Sequence, residues 1–300
     1  MNINKNKNML LSDTGKDRIT IMDTENGSVI KNIYTSANGG PHGITVCENG
    51  QFLCFSNTYG NNVQMYDIKN EKLDKEIYTG ASPCHIIGYG EKMYVTNSDS
   101  DSISVIDIKE KNGIMVISSG RMPHDIIHWK DSVLIAESGS DSMGIINTSE
   151  DEYCERVDLK CSPVHMCIIP GENIIAAACT EYGIEVKGYI CLLDADSMKL
   201  LERIRIGNCI TDIAADPDGK HVYVADAGNK SIYKVNIISG LPVKDMLLSG
   251  FVSSISFSEG TDKLMAADSI NDLVYIIDKE KWDVERIVRS GKDISHIVSL

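Results

Sequence analysis

The sequence lacks any long apolar run. Its opening residues, MNINKNKNMLLSDTG, carry a mild positive charge but no apolar stretch that could serve as a signal peptide or a membrane span. We therefore expect a cytoplasmic protein with no membrane partner.

Cysteine pairs at short spacing are also missing. The nine cysteines are an odd number, and no two of them are spaced CxxC. Several lie inside apolar runs, such as Cys179 in IIAAACT and Cys191 in YICLLD. This usage predicts small buried residues in a reducing compartment, and it argues against a disulfide framework or a zinc ribbon.

Positive charge is in short supply. Lys and Arg number 29 against 43 Asp and Glu, which gives a net charge of −14 and an isoelectric point near 4.9. An acidic surface repels phosphate backbones and anionic lipid, so we expect no nucleic-acid partner. Cations or basic partners fit this balance better.

The common catalytic signatures are absent. There is no GxSxG elbow, HExxH, P-loop or GxGxxG. Aromatic residues are only 6% of the chain, which leaves few of the anchors that protein interfaces favour. Whether the chain is an enzyme is left open by these motifs.

What is present is a repeat of 40 to 47 residues. Seven β-rich segments, among them SISVIDI and YICLLDA, each end in Asp or Asn. These residues are Asp23, Asp67, Asp107, Asn147, Asp194, Asn236 and Asp278. Their side chains can accept hydrogen bonds from the backbone N–H groups that follow, which ends a strand and starts a turn.

Each repeat contains three further strand-like segments. A second strand such as MYVTN precedes the Asp-terminated one, and Gly-, Ser-, Asn- and Asp-rich turns join the two. An inner strand such as PCHIIGY comes earlier, and a more variable outer strand such as GIMVISSG comes last. Four strands in about 40 residues, repeated seven times, predict an all-β, seven-bladed β-propeller.

The ends of the repeat array predict how the ring closes. The first complete strand, MLLSD, is of the second type, and ISHIVSL near the other end is of the inner type. One C-terminal strand can therefore join three N-terminal strands and remove the open edges. Since one blade cannot bury both its faces, we expect residues 1–300 to form a single domain and to function as a monomer.

Two segments carry a family resemblance. KMYVTNSDSDSISVIDI (92–108) and DPDGKHVYVADAGNKSIYKVN (216–236) resemble the repeats of the YVTN family of propellers. The first contains the tetrapeptide Tyr94–Asn97, and the second contains the Pro-Asp-Gly turn of that family. The resemblance implies the fold, and related seven-bladed families include ligand-binding proteins, lactonases and lyases.

Histidine placement is the strongest functional signal. Five of the seven histidines stand at the start of an inner strand: His42, His85, His124, His165 and His296. The starts of the inner strands converge at one mouth of the central channel, where a ring fold can build a polar pocket. The competing interpretation is that a duplicated blade carried a histidine that satisfies a backbone group.

The histidines fall into two registers. His85, His165 and His296 directly precede the apolar anchor of the strand, as do Asp125 and Asp212, whereas His42 and His124 lie one residue earlier. Adjacent strand residues point in opposite directions, so we expect only one register to face the axis. On this basis His85, His165 and His296 are the predicted metal ligands.

The other mouth residues receive secondary roles. With a divalent transition metal, the imidazoles would leave a position open for water or substrate; without one, His85 beside Asp125 or Asp212 could act as a general base. His42 and His124 are predicted ligand-binding residues, together with Arg121 and with Thr211 and Ser254, which replace histidine in two blades.

The turns between the second and third strands share this face. They are acidic, and we expect either a solvated rim of turn formers or a funnel that attracts cations. Their acidic and amide residues are Asp13, Asp17, Asn57, Asp99, Asp101, Glu137, Asp141, Asp226, Asp268 and Asp272.

Two functions follow. The first is binding of a small molecule or metal ion at the histidine-lined mouth, with lactonase- or lyase-like chemistry as its enzymatic form. The second is a non-catalytic scaffold that presents the loop face to a protein partner. The few aromatics and the small acidic loops favour the first.

Overall fold

The computed structural model describes residues 8–47, 50–258 and 261–299. Within these residues, 28 strands form seven antiparallel sheets of four strands each, arranged as a β-propeller. The predicted all-β, seven-bladed fold is confirmed.

The strands are numbered in chain order. Their bounds are β1 (Asn8–Asp13), β2 (Arg18–Asp23), β3 (Val29–Tyr34), β4 (Pro41–Cys47), β5 (Phe52–Asn57), β6 (Asn62–Asp67), β7 (Lys72–Tyr78), β8 (Pro83–Tyr89), β9 (Lys92–Asn97), β10 (Ser102–Asp107), β11 (Asn112–Ser118), β12 (Pro123–Trp129), β13 (Ser132–Glu137), β14 (Ser142–Asn147), β15 (Glu152–Asp158), β16 (Ser162–Ile168), β17 (Ile174–Glu181), β18 (Lys187–Asp194), β19 (Leu200–Arg205), β20 (Ile210–Ala215), β21 (His221–Asp226), β22 (Ser231–Asn236), β23 (Leu241–Leu247), β24 (Val252–Phe257), β25 (Lys263–Asp268), β26 (Leu273–Asp278), β27 (Asp283–Arg289) and β28 (Ile294–Ser299). Short 3-10 turns occupy Thr14–Lys16, Ser98–Ser100 and Ser138–Ser140.

Successive groups of four strands along the chain form successive blades of the ring, except that the last strand joins blade 1. Blade 1 has the order β28-β1-β2-β3 from the axis outwards, and blades 2 to 7 each take the next four strands, from β4–β7 to β24–β27. The innermost strands are β28, β4, β8, β12, β16, β20 and β24. Blade 1 therefore closes the ring as predicted, because Leu10 pairs with Val298 and Leu11 with Ile297.

The Asp or Asn at the end of each third strand terminates it as predicted. In blade 1, Asp23 accepts hydrogen bonds from the N–H groups of Glu25 and Asn26 at 3.0 and 2.9 Å. The equivalent residue accepts a backbone N–H from the following turn in each of the other six blades. A local hydrogen bond thus ends the third strand in every blade.

The hydrophobic core lies between the blades. In the described residues it divides into seven clusters, and each cluster joins the facing sides of two neighbouring blades. Leu10 of blade 1 and Phe55 of blade 2, for example, share one cluster and are fully buried. No helix among the described residues has the length and apolar character needed to cross a bilayer.

Ring closure makes a first testable prediction. Ile297 on β28 is 2% exposed, in the cluster between blades 7 and 1, so Ile297→Ala should lower the free energy of unfolding by about 2–5 kcal/mol. Ile287→Ala on the outer strand β27 is the matched control, because Ile287 is 56% exposed. Urea unfolding monitored by circular dichroism measures both variants. Equal, small losses in the two would contradict a packed closing strand.

Candidate functional site

All five histidines at the starts of inner strands meet at the axis. We call His42, His85, His124, His165 and His296 the axial histidine cluster. His85 is its centre, since its ring centroid lies 4.6–5.0 Å from the ring of each of the other four. The two predicted registers therefore do not separate, and the expectation that only one faces the axis is wrong.

A β-bulge at the start of every inner strand explains this result. In β12, Pro123 pairs with Glu137 and Ile126 with Ile135, so His124 and Asp125 together oppose Ala136 alone. The same one-residue register shift occurs in the inner strand of each blade. A bulge places two consecutive residues opposite one, which breaks the strict alternation of side chains and lets both registers reach the cluster.

Hydroxyl groups on the second strands hold several bulges in place. Thr96 Oγ1 accepts the N–H of His85 at 2.9 Å and donates to the carbonyl of His124 in the next blade at 2.7 Å. Ser56 makes the corresponding bonds to Gly43 and Cys84 in blades 2 and 3. Each hydroxyl thus ties its own bulge to that of the following blade.

Gly43 occupies the bulge position that His85 occupies in blade 3. A Cβ atom there would lie 2.4 Å from the carbonyl oxygen of Cys84 and 2.6 Å from the Cα atom of His85. Both obstacles are backbone atoms, so only glycine permits the close approach of β4 and β8 at the cluster.

Two buried carboxylates lie beside the cluster. Asp125 Oδ1 is 3.7 Å from His85 Nδ1, and Oδ2 is 3.7 Å from His165 Nδ1 while it accepts the N–H of Met166 at 2.7 Å. Asp212 Oδ1 is also 3.7 Å from His165 Nδ1. Its Oδ2 accepts bonds from Ser254 Oγ and from the Ile255 N–H, both at 2.7 Å. The carboxylates are therefore fixed anchors that link neighbouring blades.

The remaining predicted mouth residues have different surroundings. Thr211 Oγ1 donates to the carbonyl of Val252 at 2.6 Å, and Ser254 Oγ accepts the N–H of Ile297 at 3.2 Å, so both hydroxyls hold backbone groups of the next blade. Arg121 lies exposed in the loop before β12. The ligand-binding roles of these three residues stay predictions.

Burial disfavours protonation of His42, His85, His124 and His296. Removal from water, together with the neighbouring histidines, lowers the pKa of His42 and of His85 well below the ordinary value. The same causes lower the pKa of His124 and that of His296 to about 3. Burial also raises the pKa of Asp125, and the nearby Asp212 adds to this effect.

Several ring nitrogens have no partner. His42 Nε2, His85 Nε2 and His296 Nδ1 are buried without a hydrogen bond, and a buried polar group in this state costs free energy. His42, His85 and His124 offer three ligand atoms within 4.8 Å of one another, as do His85, Asp125 and His165. His296, a predicted metal ligand, belongs to neither set, although its ring stacks 6.0 Å from that of His165.

Half of the ten residues predicted to form an acidic rim are buried. Asp13, Asn57, Glu137, Asp226 and Asp268, at the ends of second strands, are fully buried. Glu137 accepts the N–H of Gly120 at 2.7 Å and Asp226 that of Asn208 at 2.9 Å. For these five the prediction of a solvated rim or open funnel is wrong, because side chains at this position hold the loops that lead into the inner strands.

The loop face is also less uniformly polar than expected. Tyr59, Tyr182 and Ile270 lie in turns between second and third strands and are 68%, 66% and 72% exposed. Met122 and Phe251, in loops before inner strands, are 53% and 37% exposed. These turns and loops lie at the same end of the blades, on the face where the inner strands begin.

Comparison with known proteins supports the fold alone. No family model and no curated protein matches the sequence. Among solved structures, the chain is similar to Kuenenia stuttgartiensis hydrazine synthase (TM-score 0.74, 22% identity, 86% of this chain and 89% of that chain). It also resembles a Bacteroides fragilis protein named as a candidate 6-phosphogluconolactonase (TM-score 0.79, 16% identity, 99% of each chain). A third is the dihydro-heme d1 dehydrogenase NirN in complex with DHE (TM-score 0.72, 13% identity, 96% of this chain and 65% of that chain).

The depressed imidazole pKa values predict acid sensitivity. The unfolded chain takes up these protons near pH 6.5 and the folded chain only near pH 3, so stability is complete above pH 6.5 and falls as the pH drops between those values. Each such histidine should contribute a slope of about 1.4 kcal/mol per pH unit in that window.

Urea unfolding from pH 7.5 to 4.5, in the presence of a chelator, measures this slope. In a His124→Asn, His296→Asn double variant, the slope of the free energy of unfolding against pH should fall by the contribution of about two protons. His221→Asn is the control, since His221 lies outside the cluster and pairs with Asp218 at 2.6 Å. An unchanged slope in the double variant would contradict the neutral cluster.

Proposed function

We propose that this protein binds a divalent transition metal ion at the axial histidine cluster. The observation that carries the proposal is the set His42, His85 and His124, whose ligand atoms lie within 4.8 Å and which includes two buried, unpartnered Nε2 atoms. Neutral imidazole is a good ligand for zinc, copper, nickel and iron, and a bound cation would satisfy both nitrogens.

The charges around the cluster support a cation. Asp125 and Asp212 are buried beside it, and the ion-pair partners within 4.0 Å that they have among the described residues are imidazoles rather than Lys or Arg. A buried negative charge without a full counter-charge is costly. One divalent cation would balance the two carboxylates, and the net charge of −14 would favour its approach.

The proposed site would take a small polar ligand at the metal. Three imidazoles leave a coordination position open, and a metal in such a site lowers the pKa of bound water, which is the chemistry of metal-dependent hydrolases. Lactonase- or lyase-like activity is the enzymatic form we propose, within a YVTN-type propeller. The Tyr94–Asn97 motif and the lactonase candidate among the structural neighbours are consistent with it.

A scaffold is the second candidate function. The exposed Tyr59, Tyr182 and Ile270 give the loop face the large apolar side chains that a protein interface uses, which the low aromatic content had not led us to expect. This candidate becomes the stronger one if the cluster binds no metal.

Metal binding tests the proposal directly. After equilibrium dialysis of untagged protein against Ni²⁺ or Zn²⁺, plasma mass spectrometry should find about one more equivalent in the wild type than in His85→Asn, because His85 belongs to both ligand sets. The His42→Asn, His124→Asn double variant and the His165→Asn variant then identify the set used. A His296→Asn variant should keep most of the binding.

His128→Asn is the matched control, since His128 lies on an inner strand but is exposed and packs against Tyr89. Circular dichroism establishes that each variant is folded. Equal metal content in the wild type and in a folded His85→Asn variant would overturn the proposal.

A further inference from the structure

Three cysteines outside the axial histidine cluster converge in blade 5. Cys161 lies just before β16, Cys179 on β17 and Cys191 on β18, and their Sγ atoms all lie within 4.8 Å of one another. Cys161 Sγ and Cys191 Sγ are 3.5 Å apart. We call this group the thiol cluster. It sits in the core between blades 4 and 5, and its members are at most 1% exposed.

A cation lies beside these sulfurs. Arg203 on β19 pairs directly with Cys191, stacks on the ring of Tyr189, and bonds Glu181 through Nη2 at 3.1 Å. Its Nε atom is buried and has no hydrogen-bond partner. The partly buried guanidinium is a positive group beside the sulfurs, and a nearby positive charge favours the thiolate over the thiol.

The electrostatics favour a thiolate in this group. Hydrogen bonds from Cys179 and Cys191 lower the pKa of Cys161, and Arg203 acts in the same direction. Thiolates are the form of cysteine that binds metals. Binding of a metal would therefore displace the thiol protons of the cluster.

We propose that the thiol cluster is a second metal site, selective for a soft divalent cation of the Zn²⁺ and Cd²⁺ type and independent of the axial site. Metal–sulfur bonds of about 2.3 Å place the sulfurs of a three- or four-coordinate site about 3.8–4.0 Å apart. The sulfurs here need to move by no more than about 1 Å to reach that geometry. Three thiolates and one divalent cation carry a net charge of −1, and Arg203, which also pairs with Glu181, lies beside them to offset it.

Cadmium titration with an ultraviolet readout tests this site. Thiolate–Cd²⁺ bonds give a charge-transfer band that imidazole ligands do not, so the axial cluster does not contribute to it. Reduced wild-type protein, refolded from denaturant with Cd²⁺ so that burial does not limit access, should show a band that saturates at one equivalent with the intensity of three thiolates. The thermal midpoint should rise at the same stoichiometry.

The variants separate the two sites. Cys161→Ser and Cys191→Ala should lose most of the band, whereas His85→Asn should keep it in full. Cys54→Ser is the matched control, because Cys54 is equally buried but belongs to the core between blades 2 and 3.

Three outcomes overturn the proposal. The first is the absence of a band in refolded wild-type protein, and the second is a band that survives in Cys161→Ser and Cys191→Ala. The third is loss of two titratable thiols on mild oxidation with no Cd²⁺ binding before it, which would make the pair Cys161 and Cys191 a redox couple. If the cysteine variants do not fold, the thermal midpoint of His85→Asn with and without Cd²⁺ decides the matter, because that variant lacks a ligand of both axial sets, and an unchanged midpoint overturns the proposal.

Discussion

The axial site depends on one extra residue in each innermost strand. The bulge places His124 and Asp125 opposite the single residue Ala136. Two consecutive side chains therefore reach the axial site, where a regular strand would direct only one of them towards it. Thr96 then bonds the bulges of two successive blades, so the position of one histidine is linked to that of the next. The cluster is consequently a property of the ring and not of any single blade.

The axial histidine cluster and the thiol cluster have charged neighbours of opposite sign. At the axis, the buried Asp125 and Asp212 lie 3.7 Å from imidazole nitrogens and have no Lys or Arg partner among the described residues, so the missing component is positive charge. Between blades 4 and 5, Arg203 already supplies a positive charge beside the sulfurs. The first arrangement favours a cation held by neutral ligands, and the second favours one held by anionic ligands.

The sequence predicts whatever is local and repeated. The period, the Asp and Asn residues that end each third strand, and the closing strand all depend on short-range patterns, and the structure confirms them. Placement of the five histidines at inner-strand starts was predictable for the same reason. The bulge was not predictable, since a one-residue register shift leaves the apolar pattern of the strand intact. Without a bulge, the alternation of side chains lets only one of the two histidine registers face the axis.

Other features depend on contacts that the pattern does not encode. In the sequence, Glu137 and Asp226 look like ordinary turn residues. In the structure they are buried acceptors, because the loop before the inner strand of the same blade packs over each of them and donates a backbone N–H. Cys161 and Cys191 are 30 residues apart and looked like isolated core residues, because their meeting requires the registers of β16 against β17 and of β17 against β18. The apolar residues around each cysteine predict that it is buried, but they do not predict that the cysteines contact one another.

The closing strand also bears on when the axial cluster forms during folding. His296 is on β28, and Thr14 of blade 1 bonds Ser295 across 281 residues of chain. Contacts of such separation form late, since a long loop must close before any of them is gained. The unclosed chain could already bring together four of the imidazoles, but the fifth arrives only when the ring is complete. On this argument the cluster acquires its full set of neighbouring side chains only when the ring closes.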